Sequence, residues 1–168
     1  MLWTESIVAA LKRQDVRLIA YLPDSIVHRA LSLLEKDAFF EMVSVAREEE
    51  CVGILAGAYL GGTRGAMFAQ NSGLGNCVNA LASLAVPWQT PILMFLSQRG
   101  ELGEFNVSQV GMGRAARPIL EALGIPHVTP THPEEVEGLV SDGIKLAYNT
   151  RTSIGFFLPR QLTGGKNE

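Results

Sequence analysis

The stretch "AMFAQNSGLGNCVNALASLAV", residues 66 to 86, contains the structural unit on which the fold depends. It starts with a short apolar run, passes through a glycine-containing turn and ends in a segment with helical spacing. A buried strand followed directly by a helix is typical of parallel sheets, because each crossover connection lays a helix on one face.

The same alternation extends along the chain in both directions. Strand-like runs are predicted at 16–22, 40–45, 66–70, 91–97, 127–130 and 153–159. Helices are predicted at 6–14, 25–36, 48–60, 76–86, 115–123 and 133–148, with an irregular glycine-rich segment at 100–113. Several strands are continuously apolar, which indicates burial on both faces. We therefore predict a single α/β domain over residues 1–168, a mostly parallel sheet with helices on both faces in three layers.

The composition limits the classes of partner. Of the 168 residues, 47% are hydrophobic and 18% charged, which favours a surface buried against another subunit. A net charge of −3 argues against nucleic acid or an anionic membrane as a partner. Cys51 and Cys77 have no metal or redox spacing, so we expect buried free thiols in a reducing compartment. The N-terminus lacks a signal-peptide pattern, which predicts a cytoplasmic protein.

The functional site is predicted at one edge of the sheet. In open parallel sheets, ligands bind beyond the carboxyl ends of the strands. Here those ends are polar or glycine-rich, with the sequences "LPDS" (22–25), "AREEE" (46–50), "QNSGLGN" (70–76) and "SQRG" (97–100).

Two of these segments have two interpretations each. "QNSGLGN" is either a tight strand-to-helix turn or a set of backbone amides that approach a ligand at a helix start. Arg99 either pairs with Glu101 or Glu104, or meets an anionic substrate at the end of its strand. The residues alone leave both questions open.

The three consecutive glutamates differ in their position around the predicted helix 48–60. Glu48 projects onto the middle of the apolar face, Glu49 onto its edge, and Glu50 points away. The apolar face itself is formed by Val52, Leu55, Ala56 and Tyr59. Desolvation beside such a face would raise the pKa of Glu49 and suit it to proton transfer.

Four motifs in order carry a resemblance to a known family: "REEECVGILAGAYLGG" (47–62), "QNSGLGNCVNALASL" (70–84), "PILMFLSQRGELGE" (91–104) and "GRAARPILEALGIPH" (113–127). Together they resemble the pyrimidine-binding domain of thiamine-diphosphate-dependent decarboxylases. Within that group the chain is similar to sulfopyruvate decarboxylase alpha subunits and, next, to phosphonopyruvate decarboxylases. The resemblance implies an alpha subunit that converts 3-sulfopyruvate to sulfoacetaldehyde and CO2. Phosphonopyruvate is the alternative substrate, and a non-catalytic scaffold or regulatory subunit is the alternative role.

The resemblance also implies roles for particular residues. In this family a glutamate at the helix start binds the aminopyrimidine ring of thiamine diphosphate, ten residues before a helix tyrosine. Counting back from Tyr59 gives Glu49, which is therefore the predicted catalytic residue. Four further residues are expected beside the cofactor, namely Asn71, Ser72, Gly73 and Gly75. The candidates for substrate binding are Asp24, Ser25, Gln98 and Arg99.

One departure from the family pattern concerns the diphosphate and its Mg²⁺. In the family a second domain with a GDG motif and a later asparagine holds both groups. This chain has only "SDG" at 141–143, within a helical segment. The resemblance therefore implies no metal ligand in this chain and a beta subunit that carries the diphosphate-binding domain. A small anionic 2-keto acid is the expected substrate, and neither nucleic acid nor a membrane is an expected partner.

Overall fold

The computed structural model describes residues 2–165, and these form one sheet with helices on both faces. The six strands are β1 (Val16–Tyr21), β2 (Glu41–Ser44), β3 (Arg64–Gln70), β4 (Leu93–Ser97), β5 (His127–Val128) and β6 (Ile154–Leu158). They lie in the order β2-β1-β3-β4-β6-β5, and every neighbouring pair is parallel. The predicted three-layer α/β fold is confirmed.

The helices divide between the two faces. They are α1 (Trp3–Arg13), α2 (His28–Leu34), α3 (Glu48–Leu60), α4 (Leu74–Ala80), α5 (Val107–Ala122), α6 (Pro133–Thr150) and α7 (Arg160–Thr163). A 3₁₀ turn (Asn71–Gly73) leads into α4, and a π-helical turn (Leu81–Ala85) continues it. One apolar core packs α1, α2 and α6 against the sheet, and a second packs α3, α4 and α5 against the other face. No helix within residues 2–165 has both the length and the apolarity to cross a membrane.

Three stacked phenylalanines join the central strands. Phe68, Phe95 and Phe156 stand in register on β3, β4 and β6 and are fully buried. Their ring centroids are 4.6 and 4.7 Å apart, and the planes are nearly parallel. The same register pairs the last residues of these strands, so the loops that follow them leave the sheet side by side.

The segment 100–113 is less irregular than predicted, because α5 begins at Val107. Asn106 caps this helix, and its side-chain oxygen accepts a hydrogen bond from the Ser108 amide at 3.2 Å. Gly113 lies inside the helix against the preceding loop, where a Cβ would come within 2.4 Å of the Arg99 carbonyl oxygen. Glycines that look like loop residues in the sequence thus permit close packing of a helix.

Both cysteines are buried free thiols, as predicted. Burial, reinforced by nearby carboxylates, raises the pKa of Cys51 to about 12. Burial also raises the pKa of Cys77. Both side chains are therefore neutral packing groups at physiological pH.

We expect Phe95→Ala to destabilise the chain by about 3–5 kcal/mol, because it opens a cavity in the middle of the aromatic stack. Urea unfolding of the purified protein measures this loss. Leu146→Ala on α6 is the control, since that side chain is 46% exposed and its loss should cost less than about 1 kcal/mol. Equal effects of the two substitutions would contradict the role of the stack.

Candidate functional site

The carboxyl ends of β1 and β3 are joined by side-chain hydrogen bonds. Gln70 Nε2 donates to Asp24 Oδ2 at 3.2 Å, and the Ser72 hydroxyl donates to Gln70 Oε1. The other oxygen of Asp24 accepts from the backbone amides of Ile26 and Val27, which fixes the turn before α2. Asp24 and Ser72 thus meet at the predicted edge, with Ser25 exposed beside them.

Asn71 connects three segments of backbone behind this edge. Its Oδ1 accepts from the Arg99 amide at 3.0 Å, and its Nδ2 donates to the Gly113 carbonyl at 3.1 Å. The residue is 0% exposed, and its side-chain amide is engaged by protein backbone. In the structure it positions the loop after β4 and the helix α5, and a contact of Asn71 with the cofactor stays a prediction.

Glu48 lies inside the glycine turn that follows β3. It is 9% exposed, and its Oε2 accepts a hydrogen bond from Asn76 Nδ2 at 2.8 Å. A Cβ on residue 73 would stand 2.2 Å from Glu48 Oε1, so only glycine leaves room for this carboxylate. The turn "QNSGLGN" therefore holds a side chain as well as shaping the backbone. Asn76 was absent from the predicted site, although it is the last residue of that motif.

Glu49 lies at the edge of the buried face of α3, between the buried Glu48 and the exposed Glu50. Its side chain is 32% exposed and pairs with Arg47 Nε at 2.6 Å. Hydrogen bonds from its own backbone amide and from Arg47 lower the pKa of Glu49, so the predicted rise is wrong. One oxygen, Oε2, is buried without a hydrogen-bond partner among residues 2–165.

The helical register explains why Glu48 is more buried than Glu49. The buried positions of α3 are Glu48, Cys51, Val52, Leu55 and Ala56, so residue 48 continues the inward stripe one turn earlier. Glu50 is exposed, as predicted, and accepts a hydrogen bond from the Ala46 amide at 3.0 Å.

Arg99 forms a buried ion pair. Its Nε and Nη2 donate to the two oxygens of Glu104 at 2.7 and 2.6 Å, and the side chains are only 10% and 7% exposed. The amides of Gly100 and Asn106 donate to the same carboxylate. The Arg99 guanidinium, with these amides, lowers the pKa of Glu104 to about 2. Of the two interpretations of Arg99, the structure shows the ion pair.

A cleft opens beside this pair, between the loop 100–106 and the end of β6. Its lining includes Ile26, Gln98, Arg99, Arg160 and Thr163. Gln98 is held there, because its Nε2 donates to the Arg99 carbonyl and its Oε1 accepts from Arg117. Arg160 donates to the Gly103 carbonyl at 3.1 Å, and no described carboxylate bonds its guanidinium. No motif marks the end of β6, so the sequence did not reveal Arg160.

Gly75 and the question of a metal site complete the predicted groups. Gly75 is exposed in the first turn of α4, where a Cβ would meet the Met112 methyl at 3.1 Å. Residues 2–165 contain no cluster of three or more His, Cys, Asp or Glu side chains able to hold a metal ion.

Sequence comparison finds similar proteins that cover nearly the whole chain. A protein of Methanococcus maripaludis named sulfopyruvate decarboxylase subunit alpha is 35% identical over 92% of this chain and 93% of its own length. A sulfopyruvate decarboxylase of Methanosarcina acetivorans is 32% identical over 93% of this chain, but over only 40% of its own length. A phosphonopyruvate decarboxylase of Streptomyces viridochromogenes is 34% identical over 72% of this chain. No protein-family model matches the chain.

Structural comparison supports the fold. A 2-oxoglutarate:ferredoxin oxidoreductase from Magnetococcus marinus superposes on 97% of this chain with a TM-score of 0.74. The sequence identity is 13%, and this chain spans 29% of that protein. The match shows a shared architecture within a larger protein.

We expect Glu104→Gln to lower the free energy of unfolding by about 3 kcal/mol at neutral pH, because it leaves a buried guanidinium without its counter-charge. The pKa of Glu104 in the folded protein is about 2. The difference in unfolding free energy between the wild type and the variant should therefore have its full value above the ordinary carboxyl pKa of about 4.3. It should then decline as the pH falls toward 2. Urea unfolding of both proteins between pH 7 and pH 2 measures this.

Asp142→Asn, at a side chain 77% exposed on α6, is the matched control and should leave stability unchanged. A Glu104→Gln protein as stable as the wild type at neutral pH would show that the Arg99–Glu104 pair does not stabilise the loop 100–106.

Proposed function

Because the chain belongs to the sulfopyruvate decarboxylase alpha-subunit family, we propose that it is the alpha subunit of a thiamine-diphosphate-dependent decarboxylase that converts 3-sulfopyruvate to sulfoacetaldehyde and CO2. The observation that carries this proposal is the buried carboxylate of Glu48 in a glycine turn at the carboxyl edge of the sheet. That is the position at which open parallel sheets bind their ligands.

The surroundings of Glu48 support its assignment as the residue that would hold the pyrimidine ring of the cofactor. Asn76 holds one carboxylate oxygen, and the other lies against Gly73, where it can accept a hydrogen bond from a protonated ring nitrogen. Thiamine diphosphate supplies the electron sink that accepts the electron pair when CO2 leaves. Glu48 would hold a proton at the ring nitrogen, and its low exposure would strengthen the hydrogen bond between the two groups.

Glu49 is the competing assignment, and it rests on the ten-residue spacing to Tyr59. The Oε2 atom of Glu49, which is buried without a hydrogen-bond partner among residues 2–165, favours Glu49 as the cofactor contact. Its ion pair with Arg47 and its lowered pKa oppose it, because they give the charge a structural partner. We therefore assign the cofactor contact to Glu48, with Ser72, Gly73 and Gly75 forming the turn beside it.

The anionic end of the substrate needs a different cation from the one predicted. The charge of Arg99 is already balanced by Glu104. Arg160 lines the same cleft and is our candidate for the sulfonate, with Gln98 beside it and Asp24 and Ser25 at the neighbouring turn. Phosphonopyruvate has the same three-carbon keto acid skeleton and an anionic end, so it remains the second candidate substrate.

We propose that a beta subunit holds the diphosphate and Mg²⁺. Support comes from the length of the Methanosarcina acetivorans relative, of which this chain covers only 40%. The missing GDG motif agrees with this division. A cytoplasmic location forms part of the proposal, because two free buried thiols suit a reducing compartment.

The chain alone should bind thiamine diphosphate weakly and decarboxylate neither keto acid. Activity should appear on mixing with the chain from the same genome that aligns with the rest of the Methanosarcina acetivorans protein. Calorimetry measures binding, and CO2 release from each keto acid gives the two kcat/KM values. Tight Mg²⁺-dependent binding by the isolated chain would refute the division of the site. An inactive but fully assembled complex would support the scaffold role.

Glu48→Gln in the assembled complex should lower kcat by ~10² or more, because an amide cannot stabilise a protonated ring nitrogen as a carboxylate does. Glu49→Gln and Glu50→Gln are the matched controls from the same turn and should stay close to the wild-type rate. Steady-state kinetics with sulfopyruvate tests all three, with thermal unfolding to check folding. Loss of activity in Glu49→Gln alone would return the catalytic role to Glu49.

A further inference from the structure

A second cleft lies at the edge of the sheet opposite the candidate site, where β1 and β3 begin. It has a volume of ≈ 510 Å³ and is formed by the end of α1 and the turn that leads into β3. Its lining residues are Arg13, Gln14, Asp15, Arg17, Gly62, Thr63 and Arg64. We call these residues the arginine cleft. Arginine is the most frequent residue in this lining, although the whole chain has a net charge of −3.

The two walls of the arginine cleft are held together by the backbone. Asp15 turns the chain from α1 into β1 with a φ of 52°, and Gly62 turns it toward β3 with a φ of 84°. Val16 and Arg64 are partners in the parallel register of these strands. The side chain of Arg64 also crosses between the walls, because its Nη1 donates to the Gln14 carbonyl at 2.9 Å. The cleft is therefore formed before any ligand enters it.

Arg64 is a cation without an acidic partner in the part of the chain that the structure describes. Its guanidinium carbon lies 4.5 Å from the centroid of the Tyr148 ring, and the Gln14 carbonyl accepts one of its hydrogen bonds. A guanidinium group has five N–H donors, so most of them stay available. The contact with the ring restricts the plane in which these donors lie.

Arg13 and Arg17 also keep donors free, although each has a carboxylate partner. The Nε of Arg17 donates to Asp15 Oδ1 at 2.8 Å, and its guanidinium lies 4.4 Å from the centroid of the Phe39 ring. Arg13 pairs with Glu137 through Nη2. Within residues 2–165 each of these two arginines uses one N–H group in a side-chain hydrogen bond. With Arg64, three guanidinium groups therefore stand against two carboxylates.

A structural role explains only part of this cluster. Both α1 and α3 end beside the cleft, and a cation favours the partial negative charge at the end of a helix. This accounts for Arg13, which lies in the last turn of α1. Arg17 and Arg64 lie on strands instead, where no helix dipole requires them.

We propose that the arginine cleft binds the phosphate group of a small molecule. Guanidinium groups recognise phosphate through charge-assisted, often paired hydrogen bonds. Three such groups on two walls suit a tetrahedral anion with several oxygens better than a planar carboxylate. A phosphate monoester carries a charge of about −1.5 to −2 at pH 7, whereas a sulfonate carries a single charge. The volume of the cleft falls within the range of about 300–1,000 Å³ that small-molecule sites have, so an organic group also fits.

The length of β3 separates this cleft from the candidate site. Arg64 begins the strand, and the glycine turn around Glu48 follows its other end. Seven residues of strand span roughly 20 Å. A phosphate in the arginine cleft therefore does not reach the reacting atoms, and the proposal does not depend on the proposed function.

Calorimetric titration of the purified chain with inorganic phosphate and with adenosine monophosphate tests the proposal. We expect a Kd of about 1 mM or below for at least one of these two compounds. Arg64→Gln should raise this Kd about 10-fold or more, because it removes a charge-assisted contact. Arg114→Gln, at an exposed arginine on α5 outside the cleft, is the matched control and should bind as the wild type does.

A second variant should act in the opposite direction. Asp15→Asn removes the carboxylate that pairs with Arg17, and asparagine tolerates the positive φ of this position. We expect it to lower the Kd for phosphate several-fold. Thermal unfolding of all three variants checks that they fold.

The comparison of the two compounds identifies the source of the phosphate. Binding of adenosine monophosphate about 10-fold tighter than inorganic phosphate supports a phosphate ester as the ligand, and equal Kd values support free phosphate. Four results would each overturn the proposal: no binding of either compound, equal Kd values for the two arginine variants, an Asp15→Asn protein that binds no more tightly than the wild type, or methanesulfonate bound as tightly as phosphate.

Discussion

The candidate site depends on the contact between the Glu48 carboxylate and the glycine turn after β3. A charged group at 9% exposure loses much of its hydration and needs compensation. Asn76 provides one hydrogen bond, and the amino-terminal end of α3 provides a favourable dipole for a negative charge. Gly73 provides the space, since any side chain there would displace the carboxylate. Two neighbouring helices therefore begin around one negative charge.

This arrangement requires a rigid support, and the neighbouring loops supply it. Asn71 ties the backbone after β4 to α5, so the turn that holds Glu48 cannot shift independently of either. The Arg99–Glu104 pair fixes the loop 100–106 from inside, with backbone amides completing the shell of the carboxylate. The register that pairs Phe68, Phe95 and Phe156 also pairs the last residues of β3, β4 and β6, so the three strands end side by side. Arg99, a candidate for substrate binding in the sequence, thus supports the site from behind through its pair with Glu104.

The sequence predicted the fold well because its main signal is periodic. Apolar runs alternating with helical spacing determine a parallel sheet, and that sheet determines the edge at which ligands bind. The exact side chains at the edge were harder to predict. Periodicity favoured Glu48, whereas the spacing to Tyr59 favoured Glu49, and a one-residue difference changes which carboxylate points inward.

Other features of the site depend on contacts between segments that are distant in the chain. The supporting role of Asn71 could not be predicted, because its hydrogen-bond partners, Arg99 and Gly113, come from later elements. Arg160 was missed because its cleft forms only when β6 lies beside β4. The start of α5 was not predicted, because Gly111 and Gly113 look like loop residues, although Gly113 in fact permits close packing of the helix.

Charged residues are unevenly distributed between the two faces of the sheet. Charges concentrate on α1 and α6 on one face of the sheet, while the outward side of α3 and α4 has almost none. Glu48 sits where that uncharged surface meets the polar edge. Electrostatic interactions strengthen when water is excluded, so a carboxylate at this boundary gains most from a partner that covers the adjoining surface. Covering these helices would therefore also exclude water from the side of the pocket that Glu48 borders, which ties assembly and proton chemistry to one surface.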